Sequence, residues 1–205
     1  MSLQSKRYDS YQEYIEHQKS KAPPGGDLYA RLLGDLWEDN CAGFRKNFLQ
    51  IQEVLHGKRS ALCLGARTGE EVFVLSEMGI DSIGIDLHPC LPRVIEGDVH
   101  NLPFPDLKFD FVFSNIFDHV LYPKRFLAEL DRVLMAGGHG LLHLSVCKDE
   151  GAHPDADPWA STFLSSSSVV REMLSQLGDY EFLADEPLRQ ENWPSYWTLL
   201  FRKAG

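Results

Sequence analysis

The 205-residue chain is long enough for one domain, and its 43% hydrophobic residues supply a sizeable core. Its net charge of −10 disfavours nucleic-acid binding, because that binding relies on clustered lysine and arginine. The 4 cysteines form no CxxC pair, which is typical of free thiols in a reducing compartment. No apolar run approaches the roughly 20 residues that span a bilayer, and the polar N-terminus lacks a signal-peptide core. These features predict a cytoplasmic protein without membrane contact.

The N-terminal part of the chain is predicted to be helical. A helix is expected over residues 10–19, and the sequence APPGG at residues 22–26 ends it. From residue 27 to residue 56, apolar residues recur at helical spacing until Gly57 closes the run. We therefore predict a helical or flexible segment over residues 1–26 and a single domain over residues 27–205.

The most informative stretch is residues 61–86, which read ALCLGARTGEEVFVLSEMGIDSIGID. Two apolar runs flank a glycine-bearing turn and a helical segment, and the second run ends in an acid. This is the pattern of a nucleotide-binding βαβ unit. A dinucleotide fingerprint would need glycines in place of Arg67 and Glu70, so a nicotinamide-dependent oxidoreductase is disfavoured. The turn with Gly65 and Gly69 fits better with S-adenosylmethionine (SAM), which carries no phosphate.

Further strands and helices alternate along the rest of the chain. Their alternation predicts an α/β fold, in which a doubly wound, mostly parallel sheet carries helices on both faces. The strands are expected at residues 93–96, 109–114, 140–146, 180–186 and 196–202, and the helices at residues 69–78, 123–135 and 167–177.

Two longer motifs follow the βαβ unit. Residues 97–120 read GDVHNLPFPDLKFDFVFSNIFDHV, and residues 121–144 read LYPKRFLAELDRVLMAGGHGLLHL. With the first turn, they resemble the class I SAM-dependent methyltransferases, in particular the methyltransferase type 11-like, small-molecule branch, over residues 60–145. The resemblance implies a Rossmann-like, seven-stranded sheet with an antiparallel C-terminal edge hairpin. It also implies an enzyme that transfers a methyl group from SAM to an unidentified small-molecule acceptor.

The first turn departs from the family pattern at two positions. The family's first strand usually has an acid where this chain has Cys63, and a glycine is usual where Arg67 stands. The stretch LCLGARTGEEV resembles a plant-type variant of the glycine motif, and we interpret it as a variant cofactor site. These two residues also leave an alternative open, a catalytically silent SAM-binding protein that acts through partners.

The candidate cofactor residues lie where the predicted strands end, at the edge where open α/β sheets bind ligands. Asp86 is predicted to accept hydrogen bonds from the ribose hydroxyls, with helix capping as the alternative. The resemblance implies that Asp98 and Val99 lie beside the adenine, although an aspartate there also suits a turn. Arg67 either contacts the SAM carboxylate or points to solvent. The full set of predicted cofactor-binding residues is Gly65, Ala66, Arg67, Thr68, Gly69, Asp86, Leu87, Asp98, Val99, Ser114 and Asn115.

His119 is the candidate catalytic base, because imidazole titrates near neutrality. Asp118 precedes it, but adjacent residues do not face each other on a strand or a helical turn, so the pair is not by itself a dyad. The alternative is a structural or site-lining histidine. The acidic segment at residues 148–158 lacks the spacing of a known metal site, so no metal is predicted there.

An aromatic wall is predicted for the acceptor pocket. The pocket would form where the N-terminal segment meets residues 115–122 and the loop at residues 148–161. The alternative is that the tyrosines only pack the N-terminal helix onto the domain. The wall would comprise Tyr8, Tyr11, Tyr14, Phe117, Tyr122 and Trp159.

Overall fold

The computed structural model describes residues 3–90, 92–146, 158–188 and 196–205. In chain order, the strands are β1 (Leu3–Ser5), β2 (Ser60–Leu64), β3 (Asp81–Asp86), β4 (Val94–Glu96), β5 (Phe109–Ser114), β6 (Leu134–Ser145), β7 (Thr162–Leu164), β8 (Tyr180–Pro187) and β9 (Tyr196–Lys203). The helices are α1 (Tyr11–Ser20), α2 (Asp27–Leu33), α3 (Trp37–Gln50), α4 (Gln52–Leu55), α5 (Glu70–Glu77), α6 (Pro123–Val133) and α7 (Ser168–Ser175).

The main element is a seven-stranded sheet with the strand order β4-β3-β2-β5-β6-β9-β8. Neighbouring strands are parallel from β4 to β6, whereas β9 is antiparallel to both β6 and β8. The predicted α/β fold, with a mostly parallel sheet and an antiparallel C-terminal hairpin, is confirmed.

Helices cover both faces of this sheet, and β2 supplies side chains to each face in turn. Leu62 and Leu64 join the core that includes α6 and α7, whereas Ala61 and Cys63 join the core that includes α3 and α5. Successive residues of a strand point to opposite faces, so a run of apolar residues in β2 can be buried on both sides. The strand is thereby fixed at the centre of the domain, with its carboxyl end at the edge of the sheet.

Two predicted helical stretches differ from the observed ones. The stretch predicted over residues 27–56 is divided into α2, α3 and α4, with breaks at Gly34 and Ile51. The helix predicted over residues 123–135 ends at Val133, because Leu134 pairs with Phe109 and begins β6. Strand β6 therefore starts well before residue 140, where the sequence predicted it.

The N-terminal residues 3–21, which we call the N-terminal strap, lie against the domain. Strand β1 pairs antiparallel with β7, a contact that the sequence did not predict. Helix α1 begins after Ser10, whose side chain accepts a hydrogen bond from the Glu13 amide, close to the predicted start. The division of the chain at residue 26 stays a prediction. None of the described helices combines the length and the apolar composition needed to cross a bilayer.

Candidate cofactor site

Two adjoining cavities open at the carboxyl edge of the parallel strands. The first lies beside the residues that follow β3 and β4, and α1 forms part of its wall. The second lies beside the turn after β2, the first turn of α5 and the end of β5. The first cavity is lined by Asp86, Leu87, Gly97, Asp98, Val99 and Tyr14, among others, and the second by Ala66, Thr68, Glu70, Glu71, Asn40 and Asn115. Both cavities share Lys21, Gly65, Arg67, Ile116 and His119.

Most of the predicted residues thus line one cavity or the other, and two do not. Gly69 is the residue from which α5 starts, and Ser114 is buried with its hydroxyl donating to the Leu64 carbonyl at 3.2 Å. Sequence reasoning missed Lys21, which comes from the strap and carries no local motif. It also missed Glu71, for which the only signal was an acid beside the apolar positions of α5.

The turn after β2 brings the backbone close to both cavities. Gly65 has a φ angle of +77°, and a Cβ atom there would lie 2.5 Å from Ile116 Cδ1. Gly69 has a φ angle of +88°. Arg67 also has a positive φ angle, of 44°, which is a left-handed conformation that side chains other than glycine seldom adopt. The variant turn therefore keeps the backbone shape that a glycine would favour at this position.

Asp86 is held in place by two backbone amides. Its Oδ2 atom accepts a hydrogen bond from the Arg67 amide at 3.1 Å, and its Oδ1 atom accepts one from the His88 amide at 2.9 Å. The next regular element after Asp86 is strand β4, so the residue does not cap a helix. Each carboxylate oxygen can accept more than one hydrogen bond, which leaves acceptor capacity facing the first cavity.

Asp98 both forms a turn and lines the first cavity. Its Oδ1 atom accepts hydrogen bonds from the amide and the Nδ1 atom of His100, each at 2.9 Å, and its Oδ2 atom accepts one from Tyr11. Burial by itself would raise the pKa of Asp98, but the hydrogen bonds from His100 and Tyr11 outweigh it and lower this pKa to about 2. Asp98 is therefore an anion that links the first cavity to the N-terminal strap.

His119 makes hydrogen bonds through both ring nitrogens. Its Nδ1 atom lies 3.0 Å from the Trp159 carbonyl, which can only accept, so Nδ1 carries the hydrogen. Its Nε2 atom then accepts from Lys21 Nζ, which lies 2.9 Å away. The Oδ2 atom of Asp118 lies 3.9 Å from Nε2, beyond hydrogen-bond distance. A lysine from the strap, and not Asp118, thus contacts the ring atom that faces the cavities.

The predicted aromatic wall is mostly a packing surface. Tyr14 lines the first cavity, but Phe117 is wrong as a wall residue, because it is buried and packs on Phe126 in the core. Tyr11 stacks on Tyr122, and Trp159 stacks on His17 of the strap. These contacts match the alternative in which the aromatic residues pack the N-terminal helix.

The acidic loop falls mainly outside the described residues. Residues 148–157 are not among them, so the predicted border of the acceptor pocket there stays a prediction. In the part of the chain that the structure does describe, no three His, Cys, Asp or Glu residues are grouped to hold a metal ion.

The central part of the chain matches a known protein family. Residues 62–142, which run from within β2 to within β6, match the family model described as a methyltransferase domain. The predicted resemblance to the methyltransferases is thereby confirmed over these residues. As predicted, SAM is indicated as the cofactor of this domain. A comparison with curated protein sequences finds no match.

Solved structures of methyltransferases share the fold. The 1,6-didemethyltoxoflavin-N1-methyltransferase of Burkholderia thailandensis is 16% identical with a TM-score of 0.71, over 100% of this chain and 95% of that chain. A SAM-dependent methyltransferase of Thermotoga maritima is 16% identical with a TM-score of 0.62, over 93% of this chain and 99% of that one. The [4+2]-cyclase SpnF is 19% identical with a TM-score of 0.61, over 78% of this chain and 80% of that one. At these identities the likeness shows the fold alone.

Replacing Arg67 with glycine is expected to lower SAM affinity roughly tenfold, because a guanidinium that can pair with the cofactor carboxylate is lost. Stability should change little, since relief of the left-handed strain at a φ of 44° is offset by the added backbone freedom of glycine. Calorimetric titration with SAM and a thermal melt measure the two effects. Leu107→Gly is the matched control, because Leu107 also has a positive φ, of 53°, and does not line either cavity. Unchanged or tighter SAM binding by the Arg67 variant would contradict this contact.

Proposed function

We propose that this protein is a SAM-dependent methyltransferase whose acceptor is a small molecule. The observation that carries this proposal is the pair of cavities that meet at the Gly65 turn. The first cavity contains the fixed Asp86 carboxylate, which could accept hydrogen bonds from a ribose, and the second cavity opens where β5 ends. A cofactor laid across the shared wall would have its adenosine in the first cavity and its methionine end in the second.

The cofactor-binding roles follow from this placement. Asp86 would accept hydrogen bonds from the ribose hydroxyls, and Leu87 and Val99 would pack on the adenosine. Asp98 would address the adenine amino group while it stays bound to Tyr11. Arg67 reaches the wall of both cavities and would pair with the carboxylate at the methionine end. The turn residues Ala66 and Thr68, with Asn115, would surround that end.

Positioning supplies most of the chemistry in this proposal. A bound SAM supplies an electrophilic methyl group on a sulfonium. The protein has to hold an acceptor lone pair in line with that methyl group, and such positioning alone accounts for many orders of magnitude in rate. His119 would act as the base for an acceptor hydroxyl through its Nε2 atom. For that, the hydroxyl has to replace Lys21 as the hydrogen-bond donor to Nε2.

The size of the acceptor is inferred from the surroundings of the second cavity. The strap contributes Lys21, and helices α2 and α3 contribute Leu32, Asn40 and Phe44 to a wall with both apolar and polar residues. Such a mixed, concave wall suits a small molecule. The B. thailandensis structure, which contains 1,6-didemethyltoxoflavin, supports this proposal by analogy of fold. A cytoplasmic location and the lack of nucleic-acid binding stay predictions from the composition.

A thermal-shift screen with SAM, S-adenosylhomocysteine and NAD tests the cofactor. We expect the first two to raise the melting temperature by roughly 5–10 °C at a hundredfold excess over the dissociation constant, and NAD to leave it unchanged. Methyl transfer to a panel of small molecules then tests the activity. Stabilisation by NAD and not by SAM would overturn the proposal.

A catalytically silent SAM-binding protein is the second candidate, and the departures at Cys63 and Arg67 favour it. The [4+2]-cyclase SpnF has a similar fold, so the fold by itself does not fix the reaction. This candidate predicts SAM binding without turnover on any acceptor. Methyl transfer above the background rate would exclude it.

A further inference from the structure

The most unusual group in the second cavity is the side chain of Glu71. It lies in the first turn of α5, with only 3% of the residue exposed, and that remaining surface faces the cavity. Burial raises the pKa of this carboxyl well above its usual range, and the nearby charge of Glu70 raises it further. An ionisable group is seldom kept in such surroundings unless it is paired or used in a site.

The neighbouring Glu70 has a structural explanation that Glu71 lacks. Both oxygens of Glu70 accept hydrogen bonds, one from the Thr68 hydroxyl at 2.6 Å and one from the Asn40 amide at 3.1 Å. Glu70 thereby fastens the turn to α3. The Glu71 carboxyl accepts a hydrogen bond from its own backbone amide, and no side chain in the described residues donates to it. Its acceptor capacity is therefore available to a ligand in the cavity.

Cys63 lies next to Glu71 and stands where the resembled family has a strand carboxylate. The Cys63 thiol is fully buried, and burial together with the charge of Glu71 raises its pKa well above the usual range. A neutral thiol is a weak hydrogen-bonding group and cannot pair with an ammonium. Any carboxylate partner for a cation at this place has to come from another element, and Glu71 of α5 is positioned to supply it.

We propose that Glu71 binds the ammonium group of the methionine end of SAM and replaces the strand carboxylate that is missing at Cys63. This proposal rests on the proposed function, because it needs SAM in the two cavities. Arg67 would pair with the carboxylate of the same amino acid from the other side of the turn. The chain would then hold the zwitterionic end of the cofactor with two charged side chains of opposite sign.

Proton uptake and release follow from the surroundings of Glu71. Among the charged groups nearby, Glu70 and Asp86 raise its pKa and Arg67 lowers it. Pairing with an ammonium favours the ionised carboxyl and so lowers this raised pKa, and binding therefore releases a proton at pH values between the pKa of the free and of the bound protein. The titratable thiols on the elements packed against α5 are Cys63 on β2 and Cys41 on α3, and burial raises the pKa of both, that of Cys41 to about 11.

Calorimetric titration with two ligands separates this contact from the rest of the site. S-Adenosylhomocysteine contains the amino-acid end, whereas 5′-methylthioadenosine lacks it and keeps the adenosine and the sulfur. We expect Glu71→Gln to weaken the binding of S-adenosylhomocysteine roughly ten- to a hundredfold and to leave the affinity for methylthioadenosine unchanged. Titration at mildly acidic pH, in two buffers of different ionisation heat, should also show a proton released by the parent protein and not by the variant.

Glutamine is close to a protonated glutamate in shape and charge, so this variant should fold. Glu77→Gln is the control on the same helix, because Glu77 lies on the surface in an ion pair with Arg45 and should not affect either ligand. Equal affinity of the parent and the Glu71 variant for S-adenosylhomocysteine would overturn the assignment and leave the proposed function intact. An equal loss of affinity for S-adenosylhomocysteine and for methylthioadenosine would also overturn the assignment. A parent protein that binds neither ligand would instead overturn the proposed function itself, and with it this assignment.

Discussion

Replacing Asp86 with alanine is expected to weaken SAM binding roughly ten- to a hundredfold while the protein stays folded, because the carboxylate proposed to accept hydrogen bonds from the two ribose hydroxyls is lost. The Asp86 carboxylate also accepts hydrogen bonds from the backbone amides of Arg67 and His88, which line the first cavity. The variant therefore also loses the group that holds these two residues in place. Calorimetric titration with SAM measures the affinity, and circular dichroism confirms the fold.

Asp81→Ala provides the control for this experiment. Asp81 is exposed and begins the same strand, β3, at the edge of the sheet away from the cavities. Its removal changes the net charge by the same amount and should leave SAM affinity unchanged. If the Asp86 variant binds SAM as tightly as the parent protein, the ribose assignment is wrong.

Replacing Gly65 with alanine is expected to abolish measurable SAM binding and to lower the free energy of unfolding by about 2–4 kcal/mol. Two effects add. The residue has a φ angle of +77°, and the new Cβ would lie 2.5 Å from Ile116 Cδ1. Relief of that overlap has to move the turn or Ile116, and both line the two cavities. Chemical denaturation and calorimetric titration with SAM measure the two losses.

Gly79→Ala isolates the backbone part of this effect. Gly79 has a φ angle of +86°, and a Cβ atom there would meet nothing within 4 Å. The Gly79→Ala variant should therefore lose about 1–2 kcal/mol of unfolding free energy from backbone strain alone, and it should bind SAM as tightly as the parent protein. Equal stability losses in the two variants would show that the contact with Ile116 does not constrain the turn.

Local sequence patterns predicted most of the central sheet. The βαβ unit over residues 61–86 combines apolar strands, two glycines and a terminal acid, and these signals depend only on residues close together in the chain. The predicted cofactor residues at the ends of β2 and β3 follow, because the carboxyl ends of parallel strands meet at one edge. The ends of α6 and β6 were harder to predict, because apolar residues continue across Val133 and Leu134 without a break.

By itself, the sequence determined the fold class, the family resemblance and the turn at which the cofactor would bind. Only the tertiary structure decided how the strap packs beside the cavities at that turn. Strand β1 pairs with β7, Tyr11 reaches Asp98 over 87 positions, and Lys21 reaches His119 over 98. The burial of Glu71 likewise depends on how α5 packs against its neighbours. Contacts between such distant residues leave no period or spacing in the sequence, because they form only when separate elements pack on a common core.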